Sequence, residues 1–287
     1  MHGSLRAYAV ACGVLLITGP AASQDSFPPN GPQTSLSSLV QRRPVPDATA
    51  IAKAEASVKQ KLKNDLASAT TAEAKLTLVA KLLGETATDT GDPAERYATL
   101  CEARHLAIDA GDVMLMRQTV AALADRFAVD ARDALITALA KMAEKSSLAT
   151  VAYKEIAATA AGEAATSVLQ HEWDRAKQLS DISLVAARKS KNAMVTKQMV
   201  EFAKTVSASR QQWEAAEQAL EVLKTYPNDA AAHLVAGRYL CFVQQDWSEG
   251  LKHLAASSDA TLKMLAVKSL ATPDDPAAQE RLGDAWW

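Results

Sequence analysis

Four histidines beyond the N-terminal region, His105, His171, His233 and His253, are the residues best suited by type to bind a metal or carry a proton. No two stand at i, i+4, and none has a second ligand at zinc spacing, so all four are expected to face solvent on helices, and no metal is expected. Asp274-Asp275 offers paired acids, but it precedes Pro276, which marks Asp275 as a helix cap. The run ARKSKNAMVTK places Arg188, Lys189, Lys191 and Lys197 together. It could receive phosphate or an acidic partner, and it reads more simply as a solvated turn whose charges suit the C-terminal end of their own helix. Trp173, Trp213 and Trp247 have the chemistry to stack on sugars, but their spacing is better suited to wedging helices together. Phosphate-cradling GxxxxGK[ST], dinucleotide-binding GxGxxG and the GxSxG elbow are all missing from the sequence. No catalytic residue and no cofactor are therefore expected.

The elements that carry these residues read as helices throughout. Hydrophobic residues are 48% of the 287 and aromatics only 5%, and the apolar content is mostly alanine and leucine, strong helix formers. The net charge of −2 provides no basic excess to attract phosphate backbones, so nucleic acid is not an expected partner.

Residues 1–23 read as a secretory signal peptide: Arg6 precedes the apolar run Ala7–Thr18, Gly19-Pro20 break it, and small residues up to Ser23 prepare cleavage. About 12 apolar residues fall short of the roughly 20 that span a bilayer, so no transmembrane span is expected after cleavage. The chain is expected to be exported, to the periplasm, the cell envelope or beyond the cell. Cys101 and Cys241 then remain, both in apolar helical surroundings that point to buried free thiols. Residues 24–46 hold five of the ten prolines among Ser, Gln and Asn, and read as a disordered leader.

From Asp47 the chain runs as successive amphipathic helices, a single α-helical domain over 47–287. Ile51, Ala54, Val58, Leu62 and Leu66 line the first, and Thr70 with Glu73 forms a capping box for the second. Asp92-Pro93-Ala94-Glu95 opens a third, which Gly111 ends. Val113, Met116, Val120, Leu123 and Phe127 form the stripe of a fourth, antiparallel to the third across a tight turn. Further helices are expected near 131–145, 148–170 and 174–190. A stripe of Val195, Met199, Phe202, Val206, Ser209, Trp213, Ala216, Leu220 and Leu223 then predicts one long helix near 193–226, roughly 50 Å in length. That helix could form a dimeric coiled coil, and packing within its own chain is preferred because amphipathic partners are plentiful.

Residues 228–257, NDAAAHLVAGRYLCFVQQDWSEGLKHLAAS, resemble a tetratricopeptide repeat: Gly237 stands at the small mid-helix position, Asp246-Trp247 at the turn, and Gly250-Leu251 at the next close contact. The interval between the two glycines is one residue longer than in that repeat. The tail PDDPAAQERLGDAWW resembles the opening helix of a further repeat, with Leu282-Gly283 at its small position. GRYLCFV, DWSEGL and LGDAWW are also similar to an α-helical module of large bacterial exported proteins, in which the WW helix continues into further modules. The resemblance implies an all-α stack of antiparallel hairpins, a tetratricopeptide-like solenoid whose last repeat is incomplete. It also implies a non-enzymatic interaction or scaffold role, with a protein, a peptide or a missing C-terminal module as partner. Trp286 and Trp287 are then the candidate partner-binding residues. The alternative is an all-α carbohydrate-active or hydrolytic enzyme whose site is assembled from distant residues.

Overall fold

A computed structural model describes residues 42–88, 91–271 and 275–286. The expected signal peptide, the expected leader up to Gln41, Asp274 and Trp287 lie outside the described residues. The described residues form thirteen α-helices and no β-strand. None of these helices is long and apolar enough to cross a membrane. Packing divides the chain into two compact units, one ending at Val206 and one running from Ser207 onward.

The end of the expected disordered leader is ordered instead: residues 42–46 are described, and Arg43 among them is held in place. Arg43 pairs with Phe127, its N–H donating to the Arg126 carbonyl at 2.9 Å and its own carbonyl accepting from Ala128 at 2.8 Å. Pro44 disfavours the helical region for the residue before it, so Arg43 is biased to the extended conformation this bridge needs. Asp47 then caps α1 (Ala48–Lys61) through the Ala50 N–H at 2.8 Å. The first apolar stripe spans two helices, with Leu62 forming the junction between α1 and α2 (Lys63–Ser68).

α3 (Ala72–Glu85) is capped by Thr71, one residue later than the capping box expected at Thr70. Glu73 consequently falls at the second helical position, too early to reach back to the cap as the box requires. α4 (Pro93–Ala110) starts as expected, with Asp92 accepting from the Ala94 N–H at 3.1 Å, and ends at Gly111 with φ 78°. Asp112 caps α5 (Val113–Arg126), and every member of its stripe from Val113 to Phe127 is buried. Glu95 ties α4 to α1 by accepting from Lys61 Nζ at 2.7 and 2.8 Å and from Ser57 Oγ at 2.9 Å, and these donors hold its carboxyl below the usual range.

α6 (Ala131–Glu144), α7 (Thr150–Leu169) and α8 (Trp173–Lys189) complete the first unit with the opening half of α9 (Ala193–Thr225). α7 and α8 share the most extensive contact between any two described helices. Ala157, Ala160 and Ala164 on α7 and Ala186 and Ala187 on α8 are fully buried, and such small side chains let the helix backbones approach closely. Ser183 uses that closeness, donating its hydroxyl to the Ala157 carbonyl at 2.9 Å.

Lys189 corrects the expectation for the basic run. It does not serve its own helix end but reaches α6, where Nζ donates to the carbonyls of Ala143, Glu144 and Lys145 at 2.7, 2.6 and 2.9 Å. It also lies 5.9 Å above the Tyr153 ring, whose hydroxyl donates to the Lys145 carbonyl as well. Three carbonyls at the negative end of a helix thus accept from one cation, and the Lys145 carbonyl accepts from Tyr153 as well. Lys189→Met should lower stability by about 1.5–3 kcal/mol, the usual worth of charged hydrogen bonds. Chemical denaturation would show this, with Lys191→Met as an exposed control expected to stay near wild type.

α9 continues into the second unit, where its stripe shifts. Ala216 and Ala219 are buried while Leu220, expected on the stripe, is exposed at 36%. The reason is the neighbour: Ala219 packs with Ala232 and Ala236 of α10 (Ala230–Phe242), an alanine contact that a leucine at that position would hold apart. α9 thus finds its partners within the chain.

α10 pairs with α11 (Trp247–Ala255), α11 with α12 (Ala260–Leu270), and α12 with α13 (Pro276–Trp286). Both repeat-type glycines lie in the α10–α11 contact. A Cβ on Gly237 would sit 2.8 Å from Leu254 Cγ and 2.9 Å from the Leu254 backbone nitrogen; one on Gly250 would sit 2.8 Å from the Cys241 nitrogen. Gly283, expected at a similar contact, has nothing within 4 Å of its would-be Cβ, so that expectation fails. Asp275 caps α13 as expected, accepting from the Ala277 and Ala278 N–H groups at 3.3 and 3.2 Å.

Candidate interaction surface

The tip of the second unit is built where three helix ends meet. Phe242 is the last residue of α10, and Gln245, with φ 59°, turns the chain into Asp246. Asp246 accepts from the Glu249 N–H at 3.1 Å and so fixes Trp247 as the first residue of α11. Trp286 arrives from the end of α13. The three rings meet edge to face: Phe242–Trp247 at 5.6 Å, Trp247–Trp286 at 5.3 Å and Phe242–Trp286 at 6.1 Å between centroids. Such contacts favour the positive edge of one ring against the negative face of the next.

Trp286 is further anchored through its indole N–H, which donates to Ser269 Oγ at 3.0 Å, and that hydroxyl donates on to the Leu265 carbonyl at 3.0 Å. The indole also packs against the buried cluster of Cys241, Leu254 and Ala266. Trp286, a candidate partner-binding residue, is thus half-buried against helices of its own chain. Trp287 lies outside the described residues. Phe242, Val243 and Trp247 keep about two-fifths of their surface exposed. Sequence reasoning missed Phe242 and Val243 as surface residues, although the turn signals immediately after GRYLCFV place both at a helix end.

Of the other candidates, Trp173 is buried in the first unit, its ring stacked on His171 at 5.8 Å, while Trp213 is half-buried on α9. Trp173 thus belongs to the first unit, and Trp213 and Trp247 to the second. His105 and His171 are exposed as expected. His233 and His253 are not: both are half-buried, and their Nδ1 atoms lie 2.9 Å apart across the α10–α11 hairpin. Hairpin pairing brings together residues that linear spacing separates, and this pair was hidden for that reason. Among the described residues, no three His, Cys, Asp or Glu side chains are grouped to hold a metal ion.

Cys101 and Cys241 are both free and buried. Burial pushes the Cys241 thiol up to about 11, with the nearby Asp246 charge adding to the effect, and raises Cys101 too. Neither is a ready nucleophile, because the thiolate is the reactive form. A small, partly open space in the first unit, about 30 Å³, is lined by residues including Glu55, Cys101 and His105, which is room for roughly one water.

No protein-family model matches this chain, and no curated protein or solved structure is significantly similar to it.

Proposed function

We propose that this chain is a non-enzymatic interaction module of an exported protein, a tetratricopeptide-like array of hairpins that holds another protein through Phe242, Trp247 and Trp286. The observation that carries this reading is the aromatic cluster: three large rings fixed by packing and a hydrogen-bond relay, with part of their surface left open to solvent. Aromatic side chains held in place lose little entropy on binding and dominate the energetics of protein interfaces. The glycine contacts of the α10–α11 hairpin support the repeat reading, because close helix approach at small residues is what the resemblance implies. Antiparallel hairpins stacked in series offer an extended face for a peptide or neighbouring domain.

The test is affinity capture from an extract of the source cell with wild type, Trp247→Ala and Phe242→Ser. Both substituted side chains are about two-fifths exposed, so the variants should keep the helical circular dichroism of the parent. The expected result is a protein captured by wild type and weakened at least ten-fold by Trp247→Ala, the effect of losing a hot spot worth about 2 kcal/mol. Capture that is equal for all three proteins would refute this surface as the binding site.

A further inference from the structure

The histidine pair lies outside the aromatic surface, and its hydrogen bonds fit one arrangement of tautomers. His233 Nε2 is 2.9 Å from the Pro227 carbonyl, which can only accept, so Nε2 carries the proton. In a neutral imidazole the other nitrogen then holds a lone pair, so His233 Nδ1 accepts, and its partner at 2.9 Å, His253 Nδ1, donates. The rings stand 5.1 Å apart at 46°, half-buried between α10 and α11. An imidazole whose far N–H is tied to a backbone carbonyl, leaving an oriented lone pair on the near nitrogen, has the arrangement that metal-ligating histidines adopt.

We infer that His233 and His253 form a two-histidine site for a divalent transition-metal ion, Cu2+ ahead of Zn2+. Binding requires one tautomeric exchange: the His253 proton leaves Nδ1, a proton is taken up at Nε2, and both Nδ1 lone pairs face the ion. No net proton is gained or lost. For Cu2+ the two nitrogens take adjacent corners of a tetragonal plane, where bonds of about 2.0 Å at a right angle set them roughly 2.8 Å apart, close to the 2.9 Å between them. Rotation of the two rings turns their Nδ1 lone pairs from each other toward the common ion.

The remaining coordination positions belong to water. Asp229 and Glu249 each stand four residues before a histidine of the pair, but both are engaged. Asp229 Oδ1 caps α10 through the Ala231 and Ala232 N–H groups, each at 2.9 Å, and Glu249 Oε1 accepts from Lys252 at 2.7 Å. They contribute negative charge without coordinating. Both histidines keep part of their surface open to solvent, which supplies that water. With two imidazole nitrogens and oxygen ligands, the order of affinity among first-row ions places Cu2+ first.

The test is equilibrium dialysis and electron paramagnetic resonance of the full chain with CuCl2, and dialysis with ZnCl2. All proteins carry His2→Ala, so that His2 and the terminal amine do not compete. The expected result is one Cu2+ per chain with nitrogen hyperfine structure from two imidazoles, and at least ten-fold weaker Zn2+ binding. His253→Asn retains an N–H donor toward His233 and should keep the fold while losing ten-fold or more in Cu2+ affinity; His233→Ala should lose as much, and His105→Ala should lose nothing. Stoichiometry unchanged in His253→Asn, or a resonance spectrum without imidazole nitrogens, would overturn the assignment.

Discussion

Gly237→Leu should collapse the α10–α11 hairpin, lowering stability by about 3 kcal/mol or more, the upper range for overpacking a helix contact. A Cβ there would already sit 2.8 Å from Leu254 Cγ and Cδ2, which a rotamer change could relieve. It would also sit 2.9 Å from the Leu254 backbone nitrogen, which no rotamer change moves. Relief therefore requires the helices to separate, exposing Ala236, Cys241 and Leu254, all of them nearly or fully buried. Gly250→Ala should act in the same direction, since its Cβ would meet the Cys241 backbone nitrogen at 2.8 Å as well as Sγ. Gly283→Ala and Gly162→Ala provide the contrast. Neither would-be Cβ meets anything within 4 Å, and both glycines lie in helices, so alanine should stabilise by up to about 1 kcal/mol through helix propensity alone. Thermal melts of the four variants followed by circular dichroism would show opposite signs for the two pairs. A melting temperature for Gly237→Leu within a degree of wild type would rule out the close helix contact.

Phe127→Ala should cost about 3–5 kcal/mol, the typical loss for removing a buried aromatic side chain. Phe127 has no exposed surface, meets Tyr97 edge to face at 5.1 Å, and packs with Leu100, Cys101 and Leu123. Its backbone also sits where the incoming chain docks, between the Arg126 carbonyl that receives the Arg43 N–H and the Ala128 N–H that donates back. The cavity should therefore loosen the Arg43 bridge as well as the core. Two measurements check this: urea denaturation for the loss of stability, and limited tryptic proteolysis for faster cleavage after Arg42, the Arg43–Pro44 bond being resistant to trypsin. Phe127→Leu fills much of the same space and should lose less than half as much. Equal cleavage rates in wild type and Phe127→Ala would separate the bridge from the ring.

The helices were legible because local chemistry announces them. Asp92-Pro93 and Gly111-Asp112 stand at helix boundaries for reasons of capping and backbone conformation alone, and the α5 stripe is buried at every expected position. Less legible was anything that depends on which helix lies alongside which. Lys189 has an ordinary exposed-lysine sequence context, yet it serves the end of a helix some forty-five residues earlier. Leu220 fits the apolar spacing of α9 better than Ala219 does, but the alanine surface of α10 selects the smaller residue. Gly283 matches Gly237 in its local string, while only Gly237 has a neighbouring helix at contact distance.

The candidate surface was half legible. Trp286 is named by the resemblance that LGDAWW carries, and its partners Phe242 and Trp247 became visible only once three helix ends converged. The histidine pair required the hairpin register: His233 lies one turn before Gly237 and His253 three residues after Gly250, so antiparallel pairing carries both to the same side of the contact.

The role of the aromatic cluster can be measured directly by placing a photo-crosslinking phenylalanine derivative at position 247 of the chain in its own cell and irradiating. The expected result is a discrete adduct with another protein from position 247, absent when the same group replaces Met114 or Leu169, which are exposed residues of the first unit. Adducts from position 247 no stronger than those from the two control positions would contradict a binding role for this surface.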